Sequence, residues 1–146
     1  MWYALFHVLH LLAAIAFVGV VFFQLVILAN VKNQLDSAAL PALEYALSVR
    51  IRAVLHWVVV LLYGAGFVLA WHYRQVLSAP ISSSFSTLLT LKIALAVTVF
   101  ASYGALAMLL RSGRMTAELY RKLHWAVLAQ MLAIVLLAKA MFHLNW

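Results

Sequence analysis

The 146-residue chain contains no cysteine and only three acidic residues. The absence of cysteine excludes a disulfide-stapled secreted fold, a thiolate zinc site and an iron–sulfur cluster. Charged residues make up 9% of the chain, whereas a soluble domain carries roughly a quarter. Because 68% of the residues are hydrophobic, the composition also excludes a disordered chain and indicates an integral membrane protein.

Four long apolar segments predict four membrane-spanning helices, at about residues 3–29, 53–73, 85–110 and 118–143. A span needs ~20 apolar residues, and lipid offers no partners to unpaired backbone groups, so such segments predict helix. We therefore expect an all-α, integral membrane four-helix bundle that forms a single domain. An aromatic belt is expected near the span ends, formed by Trp2, Tyr3, Trp57, Trp71, Tyr73, Tyr120, Trp125 and Trp146.

Three loop residues predict where helices begin and end. Pro41 predicts a helical turn that extends the second helix beyond the membrane. Gly113 predicts the end of the third helix, and Thr116 predicts the N-cap of the fourth.

Basic residues are concentrated in the first and third loops and just beyond the third. They are Lys32, Arg50, Arg52, Arg111, Arg114, Arg121 and Lys122. The middle loop carries only Arg74, so the positive-inside rule predicts that both termini lie on the periplasmic side of a bacterial inner membrane. Anionic lipid accounts for the net charge of +7, so no nucleic-acid partner is expected.

The acidic residues lie outside the predicted spans or at their edge, whereas two lysines lie within them. Asp36, Glu44 and Glu118 fall in loops or at a span edge, which argues against a carboxylate proton relay and against paired-carboxylate catalysis. Lys92 and Lys139 lie within predicted spans. Each lysine either snorkels to the interface or neutralises an anion held between helices, and with no acid in the bundle that anion would be a ligand.

Six histidines stand out among so few polar residues. Neutral imidazole in an apolar bundle suits haem iron, copper or zinc. Histidines near span ends can equally be interfacial residues that hydrogen-bond to their neighbours. The predicted topology places four of them toward the outer face, together with both lysines: His7, His10, His72 and His143. The other two, His56 and His124, lie toward the cytoplasm.

Haem accounts for more of this pattern than a bare metal ion does, because the lysines could pair with its propionates. A flat porphyrin also needs a slot lined by small residues. Copper prefers soft ligands, yet the chain has no cysteine and its methionines are scattered. Six small residues of the second and third helices could open such a slot: Gly64, Ala65, Gly66, Ala101, Gly104 and Ala105. They could equally serve only to let helices pack closely.

The segment His7–Gly19 reads His-Val-Leu-His-Leu-Leu-Ala-Ala-Ile-Ala-Phe-Val-Gly. It is similar to the first helix of the CopD-like superfamily, which includes the copper resistance protein D domain and the HemJ-type protoporphyrinogen oxidase. Segments 88–97 and 137–142 resemble the lysine-bearing helices of the same group. The HemJ branch implies haem b, with His10 as a ligand and Lys92 functionally required. The CopD branch implies copper handling.

We therefore expect one or two haem b groups and a redox role, with oxidation of a porphyrinogen or a quinol. His10 is expected to ligate an outer haem with His72 or His143 opposite, and Lys92 to pair with a propionate or a substrate carboxylate. His7 and Lys139 are further cofactor-binding candidates.

His56 and His124 are expected to bracket a second haem near the cytoplasm. The alternatives are a copper or other metal transporter and an accessory subunit of a larger membrane complex. A homodimer that completes its ligand site with a second copy is also compatible with the sequence.

Overall fold

The computed structural model describes residues 1–32, 34, 36, 38 and 40–144. Trp146, one of the predicted belt residues, lies outside this part of the chain. Every regular element within it is helical, and four helices are long and apolar enough to cross a membrane. The prediction of an all-α protein with four spans is confirmed, and the chain is a multi-pass membrane protein whose surroundings are a lipid bilayer.

The chain divides into two compact units, residues 1–72 and 73–146. The first begins with α1 (Trp2–Phe22), which continues through a π-helical segment (Phe23–Leu28) into the short α2 (Ala29–Lys32). The long α3 (Leu40–His72) then packs against α1. This unit is therefore a helical hairpin.

Apolar side chains form the core of the first hairpin. Ala13, Phe17 and Val21 of α1 are buried at helical spacing, and Leu55, Val59 and Ala65 of α3 are also buried. An ion pair, in which Lys32 Nζ lies 2.7 Å from Glu44 Oε1, joins the end of α2 to the beginning of α3.

The length of α3 confirms the prediction made from Pro41. Its 33 residues span about 50 Å at the helical rise, which exceeds the ~30 Å hydrocarbon core. Pro41 lies in the first turn, where its missing N–H costs no hydrogen bond.

The second unit contains α4 (Arg74–Leu77), α5 (Ser84–Arg111) and α6 (Ala117–Ala140). The two long helices pack against each other, so this unit is also a helical hairpin. The fourth span ends three residues before the predicted boundary at 143, because residues 141–143 form a turn.

Caps define both ends of α5. Ser83 and Ser86 form a capping box at its start, with the Ser86 backbone N–H donating to Ser83 Oγ at 3.2 Å. At its end, Gly113 adopts φ +66° and the Arg114 N–H donates to the Leu109 carbonyl at 3.2 Å, which completes a Schellman motif.

Thr116 then caps α6, since its Oγ1 accepts from the Leu119 N–H at 3.2 Å. The predictions for Gly113 and Thr116 are confirmed.

Candidate functional site

His10 connects the two long helices of the first hairpin. It lies on α1, half-buried, with its Nδ1 2.9 Å from the carbonyl oxygen of Leu62 on α3. A carbonyl oxygen only accepts, so Nδ1–H donates and the lone pair of the neutral ring is on Nε2. Ligating histidines typically have this arrangement, because a backbone acceptor fixes both the tautomer and the ring orientation.

Gly66 makes room for that imidazole. It follows Leu62 by one helical turn, and a Cβ at this position would stand 3.1 Å from His10 Cε1 and 3.2 Å from Nδ1. A Cβ at Gly64 or at Gly104, both predicted slot residues, would meet nothing within 4 Å. Gly66 is therefore the predicted small residue whose lack of a side chain admits the His10 ring.

His7 and His72 lie at the end of the first hairpin, around Tyr3. The Tyr3 ring centroid is 4.7 Å from that of His72 and 6.0 Å from that of His7, and Trp2 approaches His72 edge-on at 6.1 Å. Both histidines are exposed. Together they form an aromatic and imidazole cluster at the end of the hairpin.

The structure places His72 away from the level of His10. Tyr3, which contacts His72, precedes His10 by seven residues, or about 10 Å along α1. Two imidazoles that share one iron must both lie within bonding distance of it. The pairing of His10 with His72 across a single haem stays a prediction.

The other predicted residues near helix ends are exposed. His56 contacts the edge of Trp57, with centroids 5.7 Å apart. His143 lies in the turn after α6, and Lys139 in the last turn of that helix is exposed. Their positions fit interfacial side chains, and the snorkelling interpretation of Lys139 needs no ligand.

His124 is the histidine of the second hairpin that is buried, with 7% of its surface exposed. Its Nδ1–H donates to the Tyr120 carbonyl one turn earlier on α6, at 2.9 Å. The two rings are tilted against each other with centroids 4.0 Å apart. His124 therefore has the same tautomer as His10, with its lone pair on Nε2.

Lys92 is a half-buried cation on the α5 face that carries the core residues Leu88 and Leu89. It makes no hydrogen bond or ion pair with any described residue. A cation in this setting is costly unless it is neutralised. It differs in this respect from Lys139, which is exposed.

Two polar oxygens of the same hairpin are also unsatisfied. Thr90 Oγ1 and Gln130 Oε1 are buried and have no hydrogen-bond partner within the part of the chain that the structure describes. Neither was singled out as a site residue from the sequence, although Gln130 is conspicuous as a polar residue at mid-span. Buried polar atoms without partners are rare and often indicate an absent ligand or water.

The described histidines and acids do not gather into a conventional metal site. No three His, Asp or Glu side chains within residues 1–32, 34, 36, 38 and 40–144 could hold one ion together. Zinc and copper sites built from protein ligands alone need about three or four. Haem iron needs only one or two, because the porphyrin supplies the remaining nitrogens.

No protein-family model, curated protein or solved structure matches the chain. The resemblance to the CopD-like superfamily therefore stays a prediction. It depends on the residues that carry it, above all His10 and Lys92.

Proposed function

We propose that this chain is a haem b-binding redox protein of the bacterial inner membrane, with His10 as an axial ligand. The observation that carries the proposal is the 2.9 Å hydrogen bond from His10 Nδ1–H to the Leu62 carbonyl. This bond makes the imidazole more basic and leaves Nε2 as the nitrogen that would bind the iron of a haem.

The residues around His10 fit this assignment. Gly66 leaves the space that the ring occupies, so contacts with α3 determine the orientation of the His10 imidazole. The scattered arrangement of the other histidines favours a group that needs a single protein ligand over a bare metal ion. This is also why copper transport is the weaker of the two metal hypotheses.

His124 is the candidate ligand for a second haem, because its Nδ1–H is held by a backbone carbonyl in the same way. We propose that Lys92 holds a carboxylate of a bound ligand, either a haem propionate or a substrate group. Haem supplies one-electron redox chemistry when bound. The protein binds and orients the group, excludes water and neutralises its charge.

An electron donor that dissolves in the bilayer could reach the four apolar helices that the described residues form. We therefore propose oxidation of a quinol or a porphyrinogen as the reaction class.

The test is an absorption spectrum of the detergent-purified protein, oxidised and then reduced with dithionite, with haem counted as the pyridine haemochrome. We expect a Soret peak that shifts on reduction. His10→Ala should remove the signal of this haem, whereas His7→Ala, on the same helix but exposed, should keep it. His10→Gly with added free imidazole should recover the spectrum of the unmodified protein.

A featureless spectrum from cells supplied with ample haem would overturn the proposal. An unchanged spectrum in both His10 variants would overturn the assignment of His10. Recovery of the spectrum with imidazole would show that His10→Gly loses the ligand but keeps the fold.

A further inference from the structure

Three arginines surround the turn between α5 and α6. Arg111 is the last residue of α5, Arg114 follows Gly113 in the Schellman motif, and Arg121 lies in the second turn of α6. All three are exposed. The motif and the Thr116 cap give the turn a defined backbone, so these arginines are presented from a fixed scaffold.

No described residue neutralises these arginines. The nearby acid, Glu118, is bound by Lys122 at 2.7 Å, and none of the three guanidinium groups has a side-chain partner among the described residues. The three guanidinium groups of this turn are therefore available to an anionic ligand.

Exposed apolar side chains lie directly on the membrane side of these arginines. Met108 precedes Arg111 by three residues and is 72% exposed, and Trp125 follows Arg121 by four residues and is 49% exposed. Residues three or four apart share a helix face. Each of these helices thus presents a guanidinium group with an apolar surface one turn deeper.

We propose that the α5–α6 turn is a binding site for the headgroup of an anionic phospholipid. Guanidinium groups match phosphate oxygens through paired hydrogen bonds. Met108 and Trp125 would contact the glycerol and the upper acyl chains, since indole rings favour this depth. A free phosphate ion would satisfy the arginines but not the apolar surface, so the occupant is a lipid. This site is independent of haem binding.

The test uses Trp125 as the reporter. The protein is reconstituted into phosphatidylcholine membranes that contain brominated phosphatidylglycerol or, in parallel, the same fraction of brominated phosphatidylcholine. Subtracting the signal of Trp125→Phe isolates the Trp125 emission. We expect stronger quenching by the anionic lipid, with the preference falling about fivefold for each arginine replaced by glutamine.

The matched comparison is between two double variants that remove equal charge. Arg114→Gln/Arg121→Gln should lower the preference about 25-fold, whereas Arg50→Gln/Arg52→Gln should retain it. Equal quenching by the two lipids in the unmodified protein would overturn the proposal. Equal loss in both double variants would replace the site with general surface attraction, and displacement of the lipid by soluble glycerol phosphate would contradict an apolar contribution.

Discussion

His10 lies over Gly66 so closely that a Cβ on that glycine would stand 3.1 Å from the imidazole Cε1. Real Cβ contacts are rarely this short, so an added methyl group must displace the ring. Any displacement also acts on the Nδ1–H bond to Leu62, which joins the same imidazole to the same helix. The glycine and the hydrogen bond thus position His10 together.

Gly66→Ala is therefore expected to weaken haem binding without removing the ligand itself. We expect lower haem content or a shifted Soret band, because the added methyl group would displace the imidazole that should bind the haem. The chain offers a close control in Gly64→Ala, two residues earlier on α3, where an added Cβ meets nothing within 4 Å. Equal effects of the two substitutions would show that helix propensity, rather than the His10 contact, is responsible.

Replacing Lys92 should raise the stability of the ligand-free protein and weaken ligand binding. Since this half-buried cation has no acidic partner among the described residues, Lys92→Met should stabilise the ligand-free protein by on the order of 1 kcal/mol. If Lys92 holds a carboxylate, the same variant should bind haem or substrate more weakly, and Lys92→Arg should retain most of the affinity. Thermal unfolding and haem titration measure the two effects.

The exposed Lys139 provides the control for this pair of measurements. Lys139→Met should change neither the unfolding temperature nor the haem affinity appreciably, because its ammonium reaches the interface. If Lys92→Met binds haem and substrate as tightly as the unmodified protein, Lys92 does not hold a carboxylate and only snorkels to the interface.

The turn of the second hairpin should be sensitive to substitution at Gly113. Its φ of +66° is costly for a residue with a Cβ, so Gly113→Ala should destabilise the protein by about 1–2 kcal/mol. Gly113→Asn should cost less, because asparagine tolerates this conformation. Thermal unfolding in detergent measures both, and an alanine variant as stable as the asparagine variant would contradict the backbone argument.

Much of the fold follows from the sequence because a bilayer restricts the choices. Apolar length and the need to satisfy backbone groups predict four helices, and Gly113 and Thr116 act locally, so their roles could be inferred from residue type. The π-helical segment at Phe23–Leu28 could not be inferred, since its residues are ordinary helix formers. The capping box of Ser83 could have been recognised from the serine run that precedes α5.

The site was less predictable from the sequence, because it depends on which faces of α1 and α3 pack against each other. Gly64 and Gly66 are close in the sequence, yet a Cβ at Gly66 meets His10 and one at Gly64 does not, since residues two apart on a helix differ by about 200° in direction. The contact of His72 with Tyr3 likewise depends on the register between α1 and α3, which the pattern of apolar residues leaves open.

The orientation of the chain remains a prediction from loop charge, and its lack of cysteine makes it simple to test. A single cysteine can be introduced at Ser112, in the turn beside Arg111 and Arg114, or at Ser78, in the connection between α3 and α5. By the positive-inside rule, Ser112→Cys should react with a membrane-impermeant maleimide only after the cells are opened. Ser78→Cys should react in intact spheroplasts, because its segment should face the periplasm. The reverse pattern would place both termini in the cytoplasm and would move the arginine turn to the outer leaflet.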